Sequence, residues 1–159
     1  MSNPSAPHPN TASKGRLSYA VFQLARAHRG YSAALLRDMD LHPGQELLLM
    51  QLLDKDGQTQ SELLESVGLD HSTVSKALRR MQEAGLLTRE RAEHDQRALV
   101  VRLTDKGRSM REPISAMWAA LEETSVKHLN ADQIESFITT AQAIEKAIAD
   151  RDRADRPAE

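Results

Sequence analysis

The 159-residue sequence contains no cysteine, only seven glycines and few aromatic residues, which make up 3% of the chain. Without a thiol the protein can form neither disulfides nor thiolate metal sites, and it cannot sense oxidants through cysteine. Sparse glycine and aromatic content, beside 40% hydrophobic and 28% charged residues, is typical of a mainly helical soluble protein. We therefore expect a mainly helical chain that senses any signal without thiol chemistry.

Long apolar segments are also absent. No stretch approaches the roughly 18 uninterrupted apolar residues of a membrane-spanning helix, and residues 1–15 lack the apolar segment of a secretory signal. We expect a cytoplasmic protein that makes no contact with a membrane. Its length suits one compact domain, predicted over residues 16–150 between a flexible N-terminal tail (1–15) and a frayed C-terminal tail (151–159).

Recognisable catalytic and metal-binding motifs are missing as well. None of the six histidines pairs with another histidine or an acidic residue in a compact zinc motif, and no cysteine could complete such a site. The sequence contains neither a glycine-rich phosphate loop nor the elbow motif of a nucleophilic serine. We predict no enzymatic activity, no bound metal and no cofactor.

The charge is distributed unevenly along the chain. The net charge is −2, yet the segment from His71 to Arg111 holds ten basic and five acidic residues, so the remainder is strongly acidic. A basic segment in an acidic protein is typical of nucleic-acid binding through one surface. On charge alone, an ordinary solvated surface explains the segment equally well.

The middle of the chain has the pattern of a helix-turn-helix. Thr59 starts a short helix through a capping box with Glu62. A three-residue turn that contains Gly68 leads to a second helix, predicted over His71–Ala84 and terminated by Gly85. Two short helices joined in this way form the motif that many proteins use to enter the major groove of DNA.

Helical and strand periodicities predict the elements on either side of this motif. The predicted elements are a helix over Leu17–Met39, a buried helix opened by Pro43, strands over Leu87–Ala92 and Leu99–Leu103, a helix over Lys106–Leu129 bent at Pro113, and a last helix over Ala131–Asp150. The predicted fold class is mainly α: a winged helix-turn-helix of about six helices, with a two- to three-stranded hairpin sheet called the wing.

The helix predicted over His71–Ala84 has one apolar and one polar face. Its polar and flanking positions carry the hydroxyl and cationic side chains that suit DNA: Ser72, Thr73, Ser75, Lys76, Arg79 and Arg80. We predict that the first four contact base edges in the major groove and that the two arginines contact phosphate or a guanine edge. The alternative is a solvated helix face that happens to be basic.

Three motifs follow within this region: MQEAGLL over residues 81–87, Asp95-x-Arg97, and Leu103-Thr104-x-x-Gly107. With the helix before them they resemble the MarR (multiple antibiotic resistance regulator) family, and the order of predicted elements extends the resemblance over residues 16–150. It implies a homodimeric regulator of transcription, most often a repressor, that binds pseudo-palindromic double-stranded DNA. A winged-helix module that binds another protein, without specific DNA binding, is the alternative function.

The resemblance also implies roles for the wing. In that family the arginine corresponding to Arg97 enters the minor groove, and the aspartate corresponding to Asp95 braces the wing. A guanidinium at the tip of a hairpin suits the negative potential of a narrow minor groove. The alternative is that Asp95 and Arg97 form a surface ion pair of little consequence.

A dimer interface and a ligand pocket are implied in the same way. Dimerisation would use residues 16–40 and 106–150 and leave residues 43–104 as the DNA-binding lobe. A small aromatic or anionic effector would bind between these parts, with His28, Tyr31 and Trp118 as candidate pocket residues. The alternative is that these three side chains belong to the core or to the dimer interface.

Overall fold

The computed structural model describes residues 9–95 and 97–154, and within them the chain forms mainly helices with one small sheet. The helices are α1 (Arg16–Arg37), α2 (Gln45–Asp54), α3 (Gln60–Val67), α4 (His71–Glu83), α5 (Asp105–Ser109), α6 (Arg111–Val126) and α7 (Ala131–Ala154). The strands are β1 (Gln58–Thr59), β2 (Leu87–Arg91) and β3 (Leu99–Leu103), in the antiparallel order β1-β3-β2. The mainly helical fold with a small sheet agrees with the predicted class.

Both predicted tails are partly helical. Within the predicted N-terminal tail, residues Asn10–Gly15 form a 3-10 helix, and the carbonyl of Pro9 accepts a 2.8 Å hydrogen bond from the Ala12 amide in its first turn. At the other end α7 continues to Ala154, four residues beyond its predicted end. Arginines in its last turn interact favourably with the negative end of the helix dipole. This interaction stabilises the additional turn beyond the predicted end. Residues 1–8 and 155–159, which complete these tails, lie outside the described residues.

The helix expected to open at Pro43 begins two residues later, at Gln45. Gly44 adopts a left-handed conformation (φ 94°) as its N-cap, which a residue with a side chain rarely does. The side chain of Gln45 accepts a hydrogen bond from the His42 amide, and that of Glu46 accepts one from the Gly44 amide. These two acceptors satisfy amides ahead of the helix, so the turn is stable without being helical.

The long helix predicted over Lys106–Leu129 is divided at Met110 into α5 and α6. The expected bend at Pro113 is therefore wrong in position. Proline has no amide to donate to the carbonyl four residues earlier, and its ring clashes with that carbonyl. For Pro113 that carbonyl belongs to Ser109, which is the residue at which α5 ends.

The chain divides into two compact units, Met1–Trp118 and Ala119–Glu159. In the first unit the sheet and helices α2 to α4 surround a core of fully buried aliphatic side chains: Leu48, Leu49, Leu52, Leu63, Leu78, Met81, Leu87 and Val101. β1 was not predicted separately, because a two-residue strand has no alternation to detect. It pairs Gln58 and Thr59 with Val101 and Val100 of β3, and so joins the start of α3 to the wing.

No described helix has both the length and the apolar character that crossing a membrane requires.

Candidate nucleic-acid interface

Helix α4 divides into a buried and an exposed face, as its periodicity predicts. Val74, Leu78 and Met81 are at most 1% exposed and pack in the core. The predicted DNA-contacting side chains occupy the other positions: Ser72, Thr73, Lys76, Arg79 and Arg80 are exposed, and Ser75 is half-buried. The core therefore fixes the orientation of α4 and leaves a polar, basic surface facing solvent.

The first turn of α4 is fixed by Asp70. One carboxylate oxygen accepts a 2.9 Å hydrogen bond from the Thr73 amide, and the other accepts a 2.5 Å bond from the Thr73 hydroxyl. The bond from the Thr73 side chain, and then that from its amide, lower the pKa of Asp70 below its ordinary value. Because its proton is directed at Asp70, the Thr73 hydroxyl can offer a base edge only an acceptor.

The two arginines of α4 differ in their surroundings. The Nε atom of Arg79 lies 3.9 Å from a carboxylate oxygen of Glu83, and both side chains are about two-thirds exposed, at 65% and 68%. Such an exposed pair is weak, so a phosphate can replace Glu83 as the partner of Arg79 at little cost. Arg80 is also exposed, in the last turn of the helix.

The turn between β2 and β3 is closed by main-chain contacts around Asp95. Its side chain accepts a 2.9 Å hydrogen bond from the Arg97 amide, and its carbonyl accepts one from the Ala98 amide. Asp95 thus contacts the backbone of Arg97, and this contact differs from the ion pair considered as the alternative. The Arg97 side chain is exposed at this turn.

Residues after β3 contact three successive carbonyl groups that follow α4. The Thr104 hydroxyl donates a 2.6 Å hydrogen bond to the Gly85 carbonyl, and the Lys106 ammonium donates one of 2.8 Å to the Ala84 carbonyl. A Cβ atom on Gly107 would lie 2.0 Å from the Leu86 carbonyl oxygen, so only glycine fits there. The motif Leu103-Thr104-x-x-Gly107 is therefore the attachment between the wing and the end of α4, which we call the carbonyl clamp.

The carbonyl clamp, defined by Thr104, Lys106 and Gly107, was not predicted as part of the site. In the sequence, Lys106 was one charge of the basic segment and the first residue of a predicted helix, with no contact assigned to it. The signal that could have found the clamp is the Thr-x-x-Gly spacing directly after a strand, because threonine there caps α5 through the Gly107 amide.

Of the three candidate pocket residues, Trp118 lines a cavity of the described structure that the other two do not line. Trp118 lines a cavity of about 430 Å³ between α2 and α6, and its indole N–H lies 3.1 Å from the Met50 sulfur. His28 and Tyr31 are exposed on α1 and do not line that cavity. Spacing along a helix predicts which residues share a face, but it does not predict which neighbour that face meets.

Metal ligands are not clustered in the part of the chain that the structure describes: no group of three or more His, Asp or Glu side chains there could hold an ion.

Comparison with known proteins identifies similar sequences. A model of the MarR family matches residues 39–98. The HTH-type transcriptional regulator MgrA of Staphylococcus aureus is 32% identical over 124 residues, which cover 74% of this chain and 84% of that protein.

Two solved structures show the same fold. The PcaV transcriptional regulator of Streptomyces coelicolor, in complex with its natural ligand, superposes with a TM-score of 0.72 at 26% identity and covers 93% of this chain and 99% of its own. The S. aureus MepR–DNA complex gives a TM-score of 0.75 at 22% identity, over 82% of this chain and 96% of the other. MgrA and PcaV are regulators of transcription rather than enzymes, in agreement with the lack of a catalytic motif in the sequence.

Proposed function

The chain belongs to the MarR family of transcriptional regulators, and we propose that it binds a specific double-stranded operator as a homodimeric repressor that a small ligand releases. The observation that carries the proposal is the exposed, basic face of α4 beside a wing that presents Arg97 at its turn. MepR, which has this fold, has been crystallised with DNA. The geometry suits one element for the major groove and one for the minor groove.

Within α4 we assign base reading to the first two turns. Ser72 and Lys76 are exposed there and Ser75 is half-buried, so their hydroxyl and ammonium groups can reach base edges. Thr73 would act as an acceptor, because Asp70 holds its hydroxyl proton. Arg79 and Arg80 lie further along the helix and would neutralise phosphates.

In the wing we assign the minor-groove contact to Arg97 and the bracing of the turn to Asp95. An exposed guanidinium at the end of a thin hairpin can enter a narrow groove whose negative potential attracts it. The 2.9 Å hydrogen bond from the Arg97 amide to Asp95 would fix the position of the Arg97 backbone, from which the side chain extends to its guanidinium. Loss of Asp95 would then act through Arg97.

We assign dimerisation to residues 16–40 and 106–150, and the exposed apolar side chains of α1 and α7 support this assignment. On α1, Leu17 and Phe22 are 61% and 55% exposed, and on α7, Phe137 and Ile148 are 54% and 59% exposed. Exposed large apolar side chains on a helix favour an interaction site, since their burial gains about 25 cal/mol per Å². A second copy would cover it and place two α4 helices on half-sites about one turn of DNA apart.

The test is selection of bound sequences from a random duplex pool. We expect enrichment of two inverted half-sites whose centres are about one helical turn apart. Affinity for the selected duplex should fall steeply with salt, because phosphate neutralisation releases counterions. A pool without enrichment, together with binding that is insensitive to salt, would favour the protein-interaction module instead.

A further inference from the structure

The cavity beside Trp118 is large enough for a small organic molecule. Its volume of about 430 Å³ falls in the range of known ligand sites, about 300–1,000 Å³. Leu53 and Met50 of α2 face Ile114 and Trp118 of α6 across it. These apolar and aromatic side chains suit a hydrophobic, ring-containing ligand, and the charges at the cavity decide which sign that ligand carries.

Two side-chain donors at the cavity, one N–H of Arg111 and the indole N–H of Trp118, already have partners. The Arg111 guanidinium donates a short hydrogen bond to the Leu53 carbonyl at the end of α2. The Trp118 indole N–H points to the Met50 sulfur at 3.1 Å. An anionic ligand would compete with the Leu53 carbonyl and the Met50 sulfur for these two donors.

Groups that attract a cation are present on both sides of the cavity. Asp54 is the last residue of α2, and Glu112 lies in the first turn of α6, so two carboxylates oppose the single positive charge of Arg111. The carbonyl end of α2 adds a partial negative charge at Asp54. The Trp118 ring and the Met50 thioether are polarisable surfaces, and aromatic rings attract cations.

We propose that this cavity binds an aromatic organic cation, which keeps the aromatic character that the family resemblance implies for the effector but carries a positive instead of a negative charge. The proposal deepens the proposed function: the cation would be the ligand that controls operator binding. Its basis is the apolar cavity with two carboxylates at its edge, and Trp118 reports directly on its occupancy because it is the single tryptophan of the chain.

The experiment compares tetraphenylphosphonium and tetraphenylborate, two ions of the same shape and opposite charge. Each is titrated into the full-length protein while the fluorescence of Trp118 is recorded. We expect saturable binding of the cation at least about tenfold tighter than that of the anion, since each exposed carboxylate contributes up to about 1 kcal/mol. The cation's affinity should fall as salt is raised.

A double variant, Asp54→Asn with Glu112→Gln, preserves shape and removes both negative charges. It should bind the cation about five- to tenfold more weakly and leave the anion's affinity unchanged or higher. Glu65→Gln is the matched control, because Glu65 is an exposed carboxylate on α3 that does not line the cavity. Thermal unfolding verifies that each variant is folded.

Two outcomes overturn the proposal: equal or tighter binding of tetraphenylborate, or cation binding that the double variant leaves unchanged. The proposed function is tested separately by operator binding without either ion. If the protein binds no operator but still binds the cation, the proposed function as a DNA-binding regulator is rejected and the cation site is retained. Cation binding that leaves operator affinity unchanged would reject its regulatory role.

Discussion

The Lys106 ammonium donates a 2.8 Å hydrogen bond to the carbonyl of Ala84, the C-cap residue of the helix that presents the candidate DNA-contacting side chains. A cation at this end of a helix satisfies a carbonyl that has no partner within the helix and complements its dipole. Lys106 is therefore a positioning residue for α4, acting at the end opposite to Asp70.

Replacing Lys106 with methionine should weaken operator binding about three- to tenfold, the equivalent of one hydrogen bond of about 0.5–1.5 kcal/mol. The salt dependence of binding should not change, because no phosphate contact is lost. Lys106→Arg, which retains a donor and the charge, should recover much of the affinity. If the salt slope of Lys106→Met instead falls by about one unit, Lys106 contacts a phosphate and does not position the helix.

Gly107→Ala should destabilise the protein strongly. The new Cβ would lie 2.0 Å from the Leu86 carbonyl oxygen, so the backbone must move. We expect a loss of at least about 1–3 kcal/mol in the free energy of unfolding, measured by urea titration. Gly30→Ala is the control, since a Cβ there meets nothing within 4 Å and lies within α1. The free energy of unfolding of Gly30→Ala should be about 0.5–1 kcal/mol higher than that of the unsubstituted protein. Equal stabilities for the two variants would contradict the close approach.

Arg97→Ala should weaken operator binding about tenfold or more and reduce the salt slope by about one unit. Stability should change by no more than about 0.5 kcal/mol, because the side chain is exposed. Arg97→Lys should recover only part of the affinity, since an ammonium is more strongly hydrated than a guanidinium. Arg37→Ala, which removes an exposed charge from the end of α1, should bind the operator normally. Unchanged binding by Arg97→Ala would reject the wing contact.

Lys76→Ala and Ser75→Ala should relax base preference rather than weaken binding to all duplexes. A direct base contact accounts for about 1–3 kcal/mol, and its loss affects the selected operator more than a random duplex. Arg80→Ala serves as the contrasting variant, because loss of a phosphate contact weakens binding to both duplexes alike. Competition binding on the two duplexes measures the difference. Parallel losses on both for Lys76→Ala would place Lys76 at a phosphate.

Glu46→Gln should stabilise the protein near neutral pH. Burial raises the pKa of Glu46, although hydrogen bonds from its own amide and from the Gly44 amide oppose the shift. The folded state therefore holds this proton more tightly than the unfolded state. Its stabilising effect is complete below the ordinary value of 4.5 and is lost as pH rises through the higher folded pKa. The advantage of the variant should shrink as the pH falls toward 4.5 in parallel unfolding titrations. A constant difference across pH would show that the Glu46 charge is not responsible.

Local signals predicted the recognition elements well. The capping box at Thr59 forms as expected, and α4 starts and ends within one residue of its prediction because Asp70 and Gly85 act on their immediate neighbours. The alternation over Leu99–Leu103 likewise predicted the observed bounds of β3. Such features depend on a few adjacent residues, which a sequence displays directly.

Contacts between distant residues were not predictable in the same way. The carbonyl clamp depends on how Lys106 approaches Ala84, which are distant in the chain. Helical spacing likewise could not show that His28 does not line the cavity beside Trp118. Pro113 was recognised as a residue that bends a helix, yet the break lies four residues earlier. Helix α5 ends at Ser109, whose carbonyl would clash with the proline ring in a continuous helix. In each case the missing information was the position of one element against another.

The carboxylate of Asp56 draws three segments together, because one oxygen accepts hydrogen bonds from the Gly57 and Leu103 amides and the other accepts one from Arg108. Asparagine would offer a single acceptor oxygen, and glutamate would hold its oxygens farther from the backbone. Asp56 therefore links the end of the wing, the residue before β1 and helix α5, and we expect the three to open as one unit. When this unit opens, the amides of Gly57 and Leu103 become accessible to hydrogen exchange in the same event, although they are far apart in the chain.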